Sequence, residues 1–310
     1  MAENRWKKKS FIITALFVMI AVATGAAWMV YRKADKPLNL KHRSLREKDV
    51  PVYLGEIRVP DDKKPAWVYV YEKKLFVSYF GEERVDIFSP EGVKKGSFRA
   101  KITKSRGAPQ GMVSTARGLL IADYLNGGIG FYARNGRLLD AYYETAEKRQ
   151  IKPVSAAVYG EVLYVTDVNI NGWLAVFQDG EMIMEVKGDN EKKKLEFPYG
   201  IVVTSDGRVV VTDPAGGKVK VFNCAGWFAY DFPTADIGMK NPQGIAVDGF
   251  GRIHIVDNGV GKVFVFDNLG KFMFTYGKEL LNPSTLAIDR KNRVIYIANT
   301  EKHVISVWGY

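Results

Sequence analysis

Short runs of alternating apolar and polar residues, separated by breaks rich in glycine and aspartate, fill most of the chain after its first fifty residues. The stretch NPQGIAVDGFGRIHIVDNGVGKVFVFD, residues 241–267, contains three such runs and the two breaks DGFG and DNGVG. β-Branched and aromatic residues at a two-residue period fit a half-buried pleated strand, while Asp, Asn and Gly favour turns. The pattern therefore predicts a meander of short antiparallel strands.

The same plan recurs six times along the chain. Each copy begins with a proline before strand A and continues through a turn, strand B ending in Asp, a Gly-containing loop, strand C, a Gly-containing turn and strand D. The prolines, 44, 44, 45, 44 and 41 residues apart, are Pro65, Pro109, Pro153, Pro198, Pro242 and Pro283. Four short strands per copy at this period predict an all-β propeller, and six copies predict six blades.

The last copy is incomplete, because the sequence ends at Tyr310 after its third strand, HVISVWGY. A spare strand, VYLGEIRV over Val52–Val59, precedes the first proline and belongs to no other copy. Pairing of this strand with the last copy would close the ring and leave no long unpaired edge. We therefore expect residues 51–310 to form one propeller, and a fragment of residues 50–310 to fold alone as a monomer.

The repeated pattern PxGIAVDxxGRIxVxDxxxxxVxVFDxxGxF resembles the NHL repeat. The resemblance covers residues 52–310 and is strongest in the fourth and fifth copies. It is weakest in the first, where Trp67 stands for the usual Gly and Ser78-Tyr79 replaces the strand-B aspartate. The resemblance implies a six-bladed NHL-like propeller, similar to the sensor domains of bacterial receptor kinases and hence a recognition module.

The N-terminal fifty residues have a different character. After a basic segment, residues 1–10, the run FIITALFVMIAVATGAAWMVY (residues 11–31) is uncharged over 21 residues. As a helix it would be about 31 Å long, enough to cross a bilayer once. We expect a single-pass transmembrane helix that acts as a signal anchor, followed by a charged, solvated tether over residues 32–50. A cleaved signal peptide is the alternative, since ATGAA offers small residues.

The net charge of +11 is concentrated around this apolar run. Residues 1–48 carry 11 Lys and Arg against three acidic residues, a net charge of +8. The rest of the chain carries 34 Lys and Arg against 31 acidic residues, a net charge of only +3. This distribution predicts lipid headgroups rather than nucleic acid as the anionic neighbour, although some animal NHL domains bind RNA. Seven cations after the run against four before it favour a cytoplasmic domain, whereas the clustered N-terminal lysines are typical of exported bacterial proteins. We expect an extracytoplasmic propeller on the cell membrane.

The recurring polar residues have a structural interpretation. One carboxylate or amide ends strand B in five copies, namely Asp123, Asp167, Asp213, Asp257 and Asn299. A side chain that recurs in every copy of the repeat is expected to stabilise the repeat itself. We therefore expect these side chains to accept hydrogen bonds from backbone N–H groups in the following turn rather than to form a metal-binding ring. His42, His254 and His303 are too dispersed for a zinc site, and the lone Cys224 excludes an intramolecular disulfide. We predict no catalytic residue, metal or cofactor.

The channel mouth of a propeller lies where the loops entering strand A and leaving strand B converge. The residues after the six prolines, none of which ionises near neutral pH, are Ala66, Gln110, Val154, Tyr199, Gln243 and Ser284. A mouth without ionisable side chains at these six positions favours binding over catalysis. The alternative is a hydrolase or lyase that holds a divalent metal at the mouth.

Basic stretches surround the predicted mouth. They lie in the loops 99–107, 147–152 and 187–196, and at Arg84, Lys218, Lys262 and Lys302. Such a rim around tyrosines predicts a docking surface for a protein, peptide or glycan partner of acidic character. The predicted binding residues are Gln110, Tyr124, Lys192, Lys193, Lys194, Tyr199, Gln243 and Lys262.

Overall fold

The computed structural model describes residues 37–310, except for 42–44, 47–48, 61–62, 144–149, 169–172, 179–180, 187–189 and 191–193. By its contacts the chain divides into two units, residues 1–37 and residues 38–310, and the second unit contains all the strands that the structure describes. The predicted basic segment and transmembrane helix lie outside the described residues, as do Lys192 and Lys193. Within the described ranges no helix is long and apolar enough to span a membrane.

The regular elements of the described residues are strands, each short and rich in β-branched and aromatic side chains. In chain order they are β1 (Val52–Arg58), β2 (Pro65–Tyr71), β3 (Lys74–Tyr79), β4 (Arg84–Phe88), β5 (Lys94–Arg99), β6 (Pro109–Thr115), β7 (Gly118–Asp123), β8 (Gly128–Tyr132), β9 (Leu138–Tyr142), β10 (Pro153–Tyr159), β11 (Val162–Asp167), β12 (Trp173–Gln178), β13 (Glu181–Val186), β14 (Ile201–Val203), β15 (Val209–Asp213), β16 (Lys218–Phe222), β17 (Phe228–Asp231), β18 (Pro242–Val247), β19 (Ile253–Asp257), β20 (Lys262–Phe266), β21 (Phe272–Tyr276), β22 (Pro283–Asp289), β23 (Val294–Asn299) and β24 (Val304–Gly309).

These strands form six four-stranded antiparallel sheets within the described part of the chain. Sheets 1 to 5 are the consecutive groups β2–β5, β6–β9, β10–β13, β14–β17 and β18–β21, and sheet 6 has the order β22-β23-β24-β1. In sheet 6, β1 pairs with β24 from Val52 opposite Gly309 to Arg58 opposite Val304. The predicted closure by the strand before the first proline is confirmed.

The innermost strands (strand A of each sheet) form a closed ring. Each packs against the strand A of the next sheet, and β22 returns to β2, which makes the fold an all-β propeller. Glycines allow this close approach: a Cβ added at Gly111 would lie 2.4 Å from the Ser155 Cα, and one at Gly244 would lie 2.4 Å from the Thr285 Cα. Backbone that approaches so closely admits no side chain.

The two ends of the ring have different connections. The loop face carries the loops entering strand A and the turns after strand B, and the turn face carries the A–B and C–D turns. On the turn face, a glycine in the C–D turn lies against an apolar side chain in or directly after strand D of the preceding sheet. The pairs are Gly92 with Ile57, Gly136 with Phe98, Gly226 with Val186 and Gly270 with Phe232. This packing explains the repeated glycine before strand D.

The described part of the predicted tether (residues 38–41, 45–46 and 49–50, called the strap) lies on the turn face. The Leu38 N–H donates to the Glu91 carbonyl at 2.8 Å, and the Leu38 side chain packs against the core that sheets 1 and 6 share. The Arg293 guanidinium donates to the Leu45 carbonyl at 3.3 Å, and Arg252 donates to the Asp49 carbonyl at 3.3 Å. This differs from the expected solvated tether, because alternating leucines find apolar partners and the strap carbonyls find arginine donors.

Candidate functional site

The strand-B carboxylates tie the loop face together. Asp257 has no exposed surface, and it accepts hydrogen bonds from the backbone N–H groups of Lys240, Asn241 and Val260 at 2.6, 2.9 and 3.0 Å. The first two donors belong to the loop entering strand A, and the third belongs to the turn after strand B. The structural role predicted from the repeat agrees with this geometry. The expectation missed the donors that lie before strand A.

The same arrangement recurs around the ring. Backbone donors to the other strand-B side chains are Ala108 and Asn126 for Asp123, Lys152 for Asp167, Glu196 and Phe197 for Asp213, and Leu281 for Asn299. Carboxylate oxygens that face backbone donors are poorly placed to ligate a cation. Among the described residues no three His, Cys, Asp or Glu side chains form a group that could hold a metal. The strand-B side chains that the structure describes are therefore engaged by the backbone of the loop face.

Sheet 1 has no carboxylate or amide at the end of strand B and instead has a tyrosine that binds a buried aspartate. Tyr79, at the end of strand B, donates its hydroxyl proton to the buried Asp86 at 2.9 Å. Asp86 also accepts from Arg84 Nε at 2.5 Å and from Lys94 Nζ at 2.9 Å. Burial and the Asp86 charge raise the pKa of Tyr79 well above its usual value. Arg84, assigned to the basic rim from sequence, is therefore neutralised by a buried carboxylate.

His254 lies in the core of sheet 5. Its side chain has no exposed surface, its Nε2 is 3.0 Å from Asp248 Oδ2, and its Nδ1 is 3.1 Å from the Tyr276 hydroxyl. Arg252 Nε donates to the same Asp248 oxygen at 2.6 Å. Burial lowers the pKa of His254, which favours its neutral form. Burial alone would raise the pKa of Asp248, but the hydrogen bonds and charges of His254 and Arg252 outweigh it and hold that pKa below its usual value.

This cluster was missed at the sequence level, where Asp248 was interpreted only as a turn residue. A usable signal is present in DGFGRIH, because Arg252 and His254 are two residues apart and so share one face of the strand. The cluster sits beside the A–B turn of sheet 5, on the turn face. It is therefore remote from the predicted mouth.

Two aromatic rings close the channel near the loop face. Trp67 of sheet 1 and Tyr199, which precedes strand A of sheet 4, have ring centroids 5.5 Å apart, although these sheets stand three places apart in the ring. Only 7% of Trp67 and 9% of Tyr199 is exposed. Burial raises the pKa of Tyr199. The tryptophan that replaces the usual glycine of the repeat thus serves as a plug.

Below the plug, the inner strands of all six sheets enclose a cavity of about 280 Å³. Its wall combines polar and apolar groups, with Val70, Val158, Val203, Val247 and Ile288 near the turn face. The mouth is consequently a shallow floor rather than an open pocket.

The structure brings some of the predicted binding residues together. Tyr124 and Tyr199 pack into one apolar cluster with Trp67. Lys152 Nζ lies 4.8 Å from the centroid of the half-buried Tyr124 ring, a cation–π distance that the sequence analysis did not foresee. Gln110 is half-buried, and its Oε1 has no hydrogen-bond partner among the described atoms.

The other predicted residues are dispersed around the loop face. The Gln243 carbonyl accepts a hydrogen bond from Thr212 at 2.6 Å, which joins sheets 4 and 5. Lys194 and Lys262 are exposed, the first before strand A of sheet 4 and the second at the start of β20 in sheet 5. They contribute charge to the rim, not contacts to the floor.

The rim itself has two unequal parts. Around sheets 6 and 1 the cations are paired: Lys63 with Glu82 at 2.5 Å, Lys64 with Glu301 at 2.8 Å, and Lys302 with Glu56 at 2.5 Å. Around sheets 2 to 5, exposed lysines form no ion pair with a described carboxylate. These are Lys104, Lys194, Lys218, Lys240 and Lys262. Among the described residues, the rim lysines without an ion pair therefore lie around sheets 2 to 5.

Comparisons with known proteins support the fold. No protein-family model matches the chain, and no curated protein matches it in sequence. A catalytically inactive histidine-to-alanine variant of virginiamycin B lyase from Staphylococcus aureus, solved with quinupristin, is 14% identical, with a TM-score of 0.61 over 82% of this chain and 98% of that one. The shared feature is the propeller.

Two further structures are similar to the same degree. A streptogramin B lyase is 16% identical, with a TM-score of 0.61 over 86% of this chain and 89% of that one. Selenomethionine-substituted virginiamycin B lyase from S. aureus is 14% identical, with a TM-score of 0.63 over 84% and 99%. At these identities the likeness concerns architecture alone.

Proposed function

We propose that this propeller is a non-catalytic recognition module whose loop face binds an acidic protein, peptide or glycan. The observation that carries the proposal is the uneven rim. Exposed lysines without a described partner are available to an incoming anion, whereas Lys302 and its neighbours already have carboxylates. Charges presented in this way steer an acidic partner and set its orientation more than they set its affinity.

The floor of the loop face supports binding at the rim. Because Trp67 and Tyr199 fill the channel, a partner meets a closed surface in which Tyr124 and its cation Lys152 are partly accessible. Aromatic residues combined with cations are enriched at protein interfaces. The surface belongs to loops on a rigid ring, which is where binding residues of such folds concentrate.

The test is a triple charge reversal on the open side of the rim. In the full chain, Lys104, Lys218 and Lys262 are changed to Glu, and binding of a fluorescent oligoglutamate peptide and of heparin is titrated at low and high salt. We expect at least a tenfold loss of affinity at low salt and a smaller loss near 1 M salt, where the Debye length is about 3 Å. The fold should persist, because exposed substitutions usually change stability by no more than about 0.5 kcal/mol.

The matched control reverses three exposed lysines of the turn face, Lys73, Lys271 and Lys291. It imposes the same change of net charge, so it separates a local effect from a global one. Equal losses in both triple variants, or a loss only in the control, would contradict binding at the loop face.

We infer further that each sheet is one blade of a six-bladed ring, and that residues 11–31 anchor it in the cell membrane with a monomeric propeller outside the cytoplasm. Support comes from the 21 uncharged residues between basic flanks. Carbonate extraction of membranes and external protease on spheroplasts test the anchor and its orientation. Release by carbonate, or a propeller protected from the protease, would count against it.

A propeller lyase is the second candidate, and its support is the fold shared with lyases. The described histidines do not strengthen it, because His254 is enclosed in sheet 5 and His303 Nδ1 lies 3.1 Å from the Lys63 carbonyl. Incubation with quinupristin, with and without a chelator, followed by chromatography tests this candidate. If the full chain converted quinupristin and a chelator prevented the conversion, the lyase would become the favoured candidate over the recognition module.

A further inference from the structure

A cavity of about 410 Å³ lies between sheets 2 and 3 on the turn face. Its wall is mainly apolar and combines Phe131 and Tyr142 of sheet 2 with Val158, Leu163 and Phe177 of sheet 3. Small-molecule sites typically have a volume of about 300–1,000 Å³ and a mostly apolar lining with a few polar groups. The cavity thus has the size and the lining of a ligand site, and it is separate from the loop face.

Tyr142 borders this space from the sheet 2 side. At four other junctions an apolar residue near the end of strand D packs on a C–D turn glycine of the next sheet, as Phe98 does on Gly136. The Tyr142 ring meets Phe131 of its own sheet edge-on at 5.6 Å, and its hydroxyl accepts a hydrogen bond from Arg117 at 3.3 Å. The ring also packs against the apolar cluster that sheets 2 and 3 share. The Tyr142 ring and the sheet 3 side chains of Leu163 and Phe177 line the same cavity.

Two charged residues stand at the entrance and differ in their partners. The Arg117 guanidinium binds Asp140 at 2.8 Å and lies 5.0 Å from the centroid of the Phe131 ring, so its charge is compensated. Glu161, in the A–B turn of sheet 3, is exposed and has no ion pair with a described cation. The entrance therefore presents one uncompensated negative charge beside an apolar interior.

We propose that this cavity binds a small, mainly apolar molecule that carries one basic amine. The apolar part fills the space between Phe131, Leu163 and Phe177, and the ammonium pairs with the Glu161 carboxylate at the entrance. A carboxylic acid of the same skeleton is disfavoured, because it would lie beside Glu161 and would compete with Asp140 for Arg117.

The experiment uses three probes with one skeleton: 4-phenylbutylamine, 4-phenylbutanol and 4-phenylbutyrate. Each is titrated by calorimetry into the full chain in lipid nanodiscs, and the signal of empty nanodiscs is subtracted. We expect saturable binding of the amine, at least fivefold weaker binding of the alcohol and no measurable binding of the acid. Glu161→Gln should reduce amine affinity at least tenfold and leave alcohol affinity within twofold.

Two further variants make the result specific. Leu163→Trp places a bulky ring in the cavity and should abolish binding of both amine and alcohol. Glu91→Gln, a matched exposed acid on the turn face outside the cavity, should change nothing. Absence of saturable amine binding, unchanged affinity in Glu161→Gln, equal binding of amine and acid, or full binding by a folded Leu163→Trp protein would each overturn the proposal. Loop-face charge reversal should leave amine binding intact, which keeps this result independent of the proposed function.

Discussion

The two faces of the ring are stabilised in different ways. On the loop face a single device recurs, a strand-B side chain that binds backbone N–H groups from the loop before strand A, as Asp257 does. The turn face relies in addition on contacts that occur once: the strap, the cluster of Asp248 with His254, and the hydroxyl of Tyr142 turned back to Arg117. Interactions that recur in each sheet identify the fold, whereas interactions that occur once distinguish individual sites of this chain.

The largest effect is expected from removing strands and strap in two steps. A chain that begins at residue 60 lacks β1, which leaves β24 with an open edge and exposes Ile305 and Val307, both fully buried in the intact ring. We expect this fragment to lose its cooperative thermal transition, monitored by circular dichroism. A chain that begins at residue 50 keeps β1 but lacks the strap residues before it together with residues 1–37, and it should unfold cooperatively with about 1–3 kcal/mol less stability. Cooperative unfolding of the shorter fragment at the full-length temperature would refute the role of closure.

A pair of aspartate substitutions compares the faces directly. Asp257→Ala leaves three backbone N–H groups without an acceptor, and it should cost about 2–4 kcal/mol in urea denaturation. Asp267→Ala, in the half-exposed C–D turn of the same sheet, removes two similar bonds from Leu269 and Lys271. Water can replace those, so the expected cost is below about 1 kcal/mol. Equal costs would show that burial of the loop-face carboxylate is unimportant.

Acidification should act on the turn-face cluster. Folding lowers the pKa of His254, so the unfolded chain binds more protons and stability falls as pH decreases through about 6.5, the unfolded value, towards the lower folded one. The slope for one proton is at most about 1.4 kcal/mol per pH unit. The lowered pKa of Asp248 adds a second loss at more acidic pH, below its unfolded value of about 3.9. Arg252, Tyr276 and Tyr310 are the other ionisable groups that face the cluster.

The matched variant is His254→Gln, which keeps a hydrogen-bonding side chain beside Asp248 but has no group that titrates near neutral pH. Chemical denaturation at pH 7, 6 and 5 should give a shallower loss of stability than in the unmodified protein. Identical slopes in the two proteins would rule out His254 as the titrating group.

The smallest effects concern the rim. Lys302→Ala removes the pairs with Glu56 and Glu279, and it should lower stability by up to about 1 kcal/mol. Lys262→Ala, an exposed lysine without a described partner, should stay within about 0.5 kcal/mol of the unmodified protein. Urea titrations at low salt measure both. A larger loss in Lys262→Ala would reverse the distinction between the paired and open sides of the rim.

Sequence reasoning reached the features that repeat. The period of the prolines and the spare strand before Pro65 were enough for the sheets and for the β1–β24 pairing, because each rests on local pattern and on the need to cover edges. The Trp67–Tyr199 plug and the ion pairs of the rim could not be predicted from the sequence. Trp67 meets Tyr199 across the ring, and Lys302 meets Glu56 at a separation of 246 residues, so these contacts depend on how complete sheets assemble.

The closing strand also has a mechanical consequence. Val52, at the start of β1, lies beside Gly309, near the end of the chain, so a force that pulls the two ends apart loads one pair of hydrogen bonds at a time. Such peeling needs far less force than sliding the strands past each other. The strap changes how tension arrives from the N-terminal side, because its attachments at Glu91, Arg293 and Arg252 must yield before the load reaches Val52. The strap thereby shields the β1–β24 pair from tension that arrives from the N-terminal side.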